Sequence, residues 1–199
     1  MDAEDLEDLI PEEITGACGL IAPFVVYVFI AISILINRSW FNWADHALSH
    51  LGEVGTSYNN VFNAGLIIGG ILGLIFIFGL IQYAEELIGY YGIAFFGAGM
   101  VFLILVGIFP MGRAGHEWIS ALFFITSLSG LTAFGMDQVW DLMEPSWGFF
   151  ILSSVILCIV SAGLVTTIPY ETGAAIPEFI VSIPIMQFTF VFGARIFIE

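Results

Sequence analysis

The chain has 199 residues, of which 59% are hydrophobic and only 11% charged, and its mean hydropathy of +1.02 excludes an ordinary soluble domain, in which about half the residues are apolar and about a quarter charged. Its 18 acidic residues stand against 3 basic ones, all arginine. That balance excludes nucleic acid as a partner, because phosphate binding needs clustered Lys or Arg, and it points to a salt-loving microbe whose proteins are kept apart in concentrated salt.

The first thirteen residues, "MDAEDLEDLIPEE", hold seven acids, and residues 1–16 are expected to form a disordered acidic tail. A cleavable secretory signal starts with basic residues ahead of a short apolar core, so none is expected. Residues 17–199 then make one membrane domain. Crossing about 30 Å of hydrocarbon takes about 20 mainly apolar residues with every backbone amide bonded within the chain. Six runs meet that need: Ala17 to Asn37, Val61 to Tyr83, Gly89 to Phe109, Gly115 to Gly135, Ser146 to Ile168 and Pro177 to Phe197. Because they are continuously apolar and do not alternate, a β-barrel is disfavoured. The expected fold is all-α, a six-helix transmembrane bundle.

Between the first two spans lies "WADHALSHLG", residues 43–52. On a helical wheel Trp40, Trp43, Ala44, Ala47, Leu48 and Leu51 share one arc, while Asn42, Asp45, His46, Ser49, His50 and Glu53 share the other. This predicts an amphipathic helix over about 40–52, lying in the membrane interface with its polar arc wet. A sharper reading starts from His46 and His50, one helical turn apart and able to converge on one ion. His116, the remaining histidine, falls at the mouth of span four on the same face. Three imidazoles and a water would make a catalytic zinc shell. Asp45 or Glu53 would then orient a ligand or act as base, and Ser49 would donate to an oxyanion or attack. A metal-free relay of Ser49, His116 and Asp45 is the alternative.

Span two carries a glycine ridge, Gly65, Gly69 and Gly73, that lets a neighbouring backbone approach. Packing within the bundle against Gly92, Gly97 and Gly99 is expected, with a homo-oligomer or a partner in a larger complex as the alternative. Asn63 and Ser120, about one turn inside the histidine face, join Glu53 as polar cleft candidates. No acidic residue is expected inside a span, which argues against an ion-coupled carrier. The stretch "DQVWDLMEPSW" reads as a short connecting loop. Cys18 and Cys158 fall within spans and are expected to be free. Arg38 and Arg113 flank the histidine face and Arg195 the other, so the positive-inside rule makes the histidine face cytoplasmic in a multi-pass protein of the cell membrane.

The stretches "ALSHLGEVGTSYNNVFNAGLIIGGILG" and "GIFPMGRAGHEWISALFF" resemble the prokaryotic membrane family catalogued as domain of unknown function 998. The matching positions are Ser49, Leu51 and Gly52, then Phe62, Asn63 and Gly65, then Phe109, Pro110 and His116. The resemblance implies a six-helix bundle and no settled activity. The set Ser49, Asp45, His46, His50 and His116 is more loosely similar to the membrane hydrolase superfamily of alkaline ceramidases and adiponectin-type receptors. That similarity implies a zinc-dependent lipid hydrolase or lipid-remodelling enzyme working on membrane lipid. A non-catalytic lipid-binding scaffold or complex subunit, and a small-solute channel or transporter, are the competing readings.

Overall fold

A computed structural model describes residues 10–140, 144–167 and 173–198. Its long helices are α1 (Glu12–Ile36), α2 (Asn59–Gly79), α3 (Leu87–Ile108), α4 (His116–Trp140), α5 (Ser146–Thr167) and α6 (Ala175–Ile198). Six helices are long and apolar enough to cross a membrane, and no strand occurs among the described residues. The chain is a multi-pass membrane protein with the expected six spans. Its first helix starts earlier than hydropathy alone predicts. Pro11 precedes it, and Glu12 and Glu13 occupy its first turn, where negative charge suits the positive end of the helix dipole. Part of the expected acidic tail is therefore helical, and residues 1–9 lie outside the described residues.

Consecutive helices pack side by side, and α1 also packs on α6, which closes the ring. Phe76, Phe96, Phe134 and Phe192 are almost fully buried at its centre. With Phe188 they form a series of mostly edge-to-face ring contacts at 4.8 to 6.0 Å, the geometry that aromatic quadrupoles favour. In hydrocarbon there is little hydrophobic force between helices, so such dispersion contacts and close backbone approach carry the packing.

The glycines show how. Gly65 lies against Phe29 and Gly69 against Val26, both of α1, whereas Gly73 lies against Met100 of α3. Residues four apart drift by about 40° around a helix of 3.6 residues per turn, so the ridge turns through about 80° and serves two neighbours. Of the expected facing groove only Gly97 meets α2, at Ile77; Gly92 and Gly99 face Phe134 and Ser127 of α4. The ridge thus packs against the chain's own helices.

Two expectations about charge and loops change on the face opposite the histidines. Asp137 and Gln138 belong to the last turn of α4 and not to a loop, and Asp137 has no solvent exposure. Its two carboxylate oxygens accept the Glu85 and Glu86 N–H groups, each at 2.9 Å, just ahead of α3, and the Gln138 amide donates to the Tyr83 carbonyl. A span does carry a buried acid, at its end, where it caps backbone amides. Arg195, on the same face, pairs with Glu144 at 2.8 Å and lies over the rings of Tyr83 and Trp147, so it is held in place rather than simply extended into water. Cys18 and Cys158 are free.

α1 crosses α6 closely, and a Cβ on Gly193 would come within 2.5 Å of the Gly19 backbone. Gly193→Ala should therefore lower stability by about 1–3 kcal/mol, while Gly163→Ala, with nothing within 4 Å of the added carbon, should not. Thermal unfolding in detergent checks the pair, and equal midpoints for Gly193→Ala and the parent chain would contradict this crossing.

Candidate functional site

The stretch from Asn37 to Tyr58 does not form the expected interfacial helix over 40–52. It runs as turns followed by a short 3-10 helix, Leu48–Gly52. Helical bonding is lost because its backbone is engaged elsewhere. The Ala44 carbonyl accepts the Gly173 N–H at 3.0 Å, and the His46 carbonyl accepts the Ala175 N–H at 2.9 Å. Asn42 folds its side-chain oxygen onto the Ala44 N–H at 3.0 Å, a local bond that competes with a helix start. The later part of the apolar arc is drawn into the bundle as well: Leu51 is 0% exposed, and Ala47 and Leu48 are buried, while Trp40 and Trp43 stay exposed.

Several anchors hold this inserted turn. Glu178, in the first turn of α6, accepts the Leu48 N–H at 2.6 Å. Asn63 of α2 donates to the Gly52 carbonyl at 3.0 Å. Gly52 packs so closely on Phe62 and Asn63 that a Cβ would overlap both. The Val54 N–H donates to the Met111 carbonyl at 3.0 Å, joining the first loop to the one between α3 and α4. Glu53, partly exposed, lines the surface beside residues 111–118.

The histidines do different work from that expected. The His46 Nδ1 accepts the Asn42 N–H at 3.2 Å and the His50 Nδ1 accepts the Ala47 N–H at 2.9 Å, so both rings close local turns. They meet edge to face at 5.4 Å, with Trp40 and Phe41 against His46. Among the described residues no three His, Cys, Asp or Glu side chains are grouped so that they could hold a metal ion. His46, His50 and His116 therefore do not fit a zinc shell. The Ser49, His116 and Asp45 relay is not assembled either: Ser49 Oγ donates to Met111 Sδ at 3.5 Å, and the exposed Asp45 accepts from Asn42 at 2.6 Å.

His116 pairs instead with Ser120. Gly112 and Gly115 take φ of +88° and +90°, a region closed to most side chains, and the chain turns back so that the buried His116 Nδ1 reaches the Phe109 carbonyl at 2.8 Å. A carbonyl can only accept, so Nδ1 carries the proton and Nε2 is an acceptor in the neutral ring. Ser120 Oγ lies 3.4 Å from that Nε2. Ser120 also lines a cavity of about 70 Å³ beneath the inserted turn, together with Ser49, Glu178 and Ser182. These four polar residues come from the loop and from the first two turns of α4 and α6. The rest of the lining is apolar, with Leu48, Phe62 and Val106 near the span ends and Val26 and Met186 farthest in.

The family described as "Protein of unknown function (DUF998)" matches residues 20–195. The chain belongs to it. Neither a curated protein nor a solved structure matches the chain, and nothing here supports the looser similarity to ceramidases and adiponectin-type receptors. In this DUF998 chain the motif residues have structural partners: Gly52 is seated on Phe62 and Asn63, Leu51 is buried, and the Phe109 carbonyl holds His116. Reading the sequence missed Glu178, Ser182 and the Phe109 carbonyl. Only Glu178 left a signal, as an acid inside the first turn of an otherwise apolar span.

Removing the Glu178 anchor should loosen the turn, since an unsatisfied amide costs about 1–3 kcal/mol. Glu178→Ala is expected to lower the unfolding midpoint and speed proteolysis between residues 42 and 54, whereas Glu178→Gln, which keeps an acceptor oxygen, should retain most of the protection. Equal cleavage of all three forms would contradict the anchor.

Proposed function

We propose that this DUF998 chain binds a membrane lipid at the face carrying the inserted turn, with an apolar chain end in the cavity and a polar linkage at its rim. The observation that carries this reading is the gradient of the lining: Ser49, Ser120 and Glu178 lie toward the membrane surface, and the innermost side chains, Val26 and Met186, are apolar. A lipid has the same gradient. The volume is several times the roughly 10–15 Å³ that one water needs, and so mainly apolar a pocket is better matched to hydrocarbon than to solute. Arg38 and Arg113 beside this face favour its facing the cytoplasm.

Val106, which lines the cavity, supplies the test. Val106→Phe should fill the space and cut labelling by a photoreactive fatty-acyl phospholipid at least about threefold, in line with one displaced apolar contact. Labelling of α2 and α3 peptides that is unchanged by the substitution would remove the reading.

A second reading, acyl transfer from a lipid ester, is favoured by one observation: the Phe109 carbonyl fixes the tautomer that leaves His116 Nε2 facing a serine hydroxyl at the cavity. Ser120 Oγ would attack the ester carbonyl as Nε2 takes its proton, and that proton would pass to the departing alcohol. Water, activated by the same nitrogen, would then release the fatty acid and regenerate Ser120. This version needs no metal. Esterase activity on phospholipid vesicles should survive chelators and Ser49→Ala, and should fall by about 10²-fold or more in Ser120→Ala and in His116→Gln. Retained activity in Ser120→Ala would exclude it.

A further inference from the structure

Gln187 stands near the middle of α6, about 16 to 18 Å along the helix from either end at 1.5 Å per residue. Its side chain is exposed on the outer surface of the bundle, in a groove between α5 and α6 that Ser153, Ser154, Leu157, Ser161 and Ile183 also line. Ser153 and Ser154 each donate to the Phe150 carbonyl, as hydroxyls in spans commonly do. The Gln187 carboxamide makes no hydrogen bond among the described residues. At this depth there is no water to supply one, and an amide left unbonded in hydrocarbon is costly.

The surrounding surface is also the least covered part of the ring. Only 22% of the apolar window of α5 is buried, against 33 to 50% for the other five spans. A lipid tail can cover that surface but offers neither donor nor acceptor to Gln187. The occupant must bring both, near the bilayer midplane. A carboxamide has one acceptor oxygen and two donor hydrogens, so it is complementary to itself. A second copy of the chain, related by a two-fold axis along the membrane normal, brings its own Gln187 to the same depth by symmetry. Ser153 and Ser154 are small enough to let the helices come close.

We propose that the chain forms a two-fold homodimer through α5 and α6, with the two Gln187 carboxamides hydrogen-bonded across the axis. The contact is on the outer surface of α6, whereas the lipid cavity is lined by Glu178, Ser182 and Met186 on its inner side.

Single-molecule photobleaching of the fluorescently labelled full chain in phosphatidylcholine and phosphatidylglycerol liposomes tests it. Two-step bleaching should rise with protein density. Gln187→Leu, an apolar residue on a lipid-exposed position, should fold with an unchanged unfolding midpoint and associate roughly tenfold more weakly. Gln187→Asn, which keeps the carboxamide, should retain most of the association, and Ile71→Ala on the outer face of α2 should leave it unchanged. In a chain with Cys18 and Cys158 replaced by serine, Gln187→Cys should form a disulfide between copies on mild oxidation. Single-step bleaching of the parent chain at every density, association undiminished in Gln187→Leu, or no disulfide from Gln187→Cys would each overturn the proposal.

Discussion

A peptide segment can enter the end of a transmembrane bundle only if its amides and carbonyls find partners there. The chain meets this constraint between α1 and α2 with side chains and loops from distant parts of the sequence. Glu178 takes the Leu48 amide, Asn63 reaches the Gly52 carbonyl, and the start of α6 donates to the carbonyls of Ala44 and His46. Once these bonds are made, Leu51 can be fully buried and the turn becomes the roof of the cavity. Shape and chemistry at this face both follow from where the backbone bonds of one loop go.

The same device operates at the other face, where Asp137 takes two backbone amides ahead of α3. In a chain with 18 acids and 3 arginines, carboxylates cannot all find cations, and these two serve as acceptors for peptide N–H groups. Hydrogen bonds to an ionised carboxylate are stronger than those between neutral groups. Such acids therefore fix helix starts and loop entries, and their place at span ends keeps them clear of the midplane.

The spans were legible because a run of about 20 apolar residues has few alternatives in a membrane. The segment after the first span was misread for a physical reason. Its wheel separates apolar from polar residues well, but amphipathic periodicity describes what a segment can bury and not which partners its backbone will choose. Tertiary bonds to residues 173 and 175 decided that choice. The histidine pair was misleading in the same way. With no helical turn to align them, His46 and His50 close turns and meet edge to face, while His116 finds Ser120, four residues on and already a candidate from its depth in span four. Glu178 was harder to see, because nothing in sequence marks which of many acids will meet an amide 130 positions away.

The central claim is that the loops after α1 and α3 and the start of α6 are locked into one roof. The Val54 N–H donates to the Met111 carbonyl at 3.0 Å and the Leu48 N–H to the Glu178 carboxylate at 2.6 Å, so both amides should be shielded from exchange with solvent. Hydrogen–deuterium exchange of the full chain in native-like bilayers, read at Leu48 and Val54, measures this most directly. The account predicts protection at both amides comparable to that of the span ends they pack on. Exchange at both as fast as in an unfolded peptide, with the spans still protected, would mean that the loop after α1 lies apart from the bundle, and the roof would not exist.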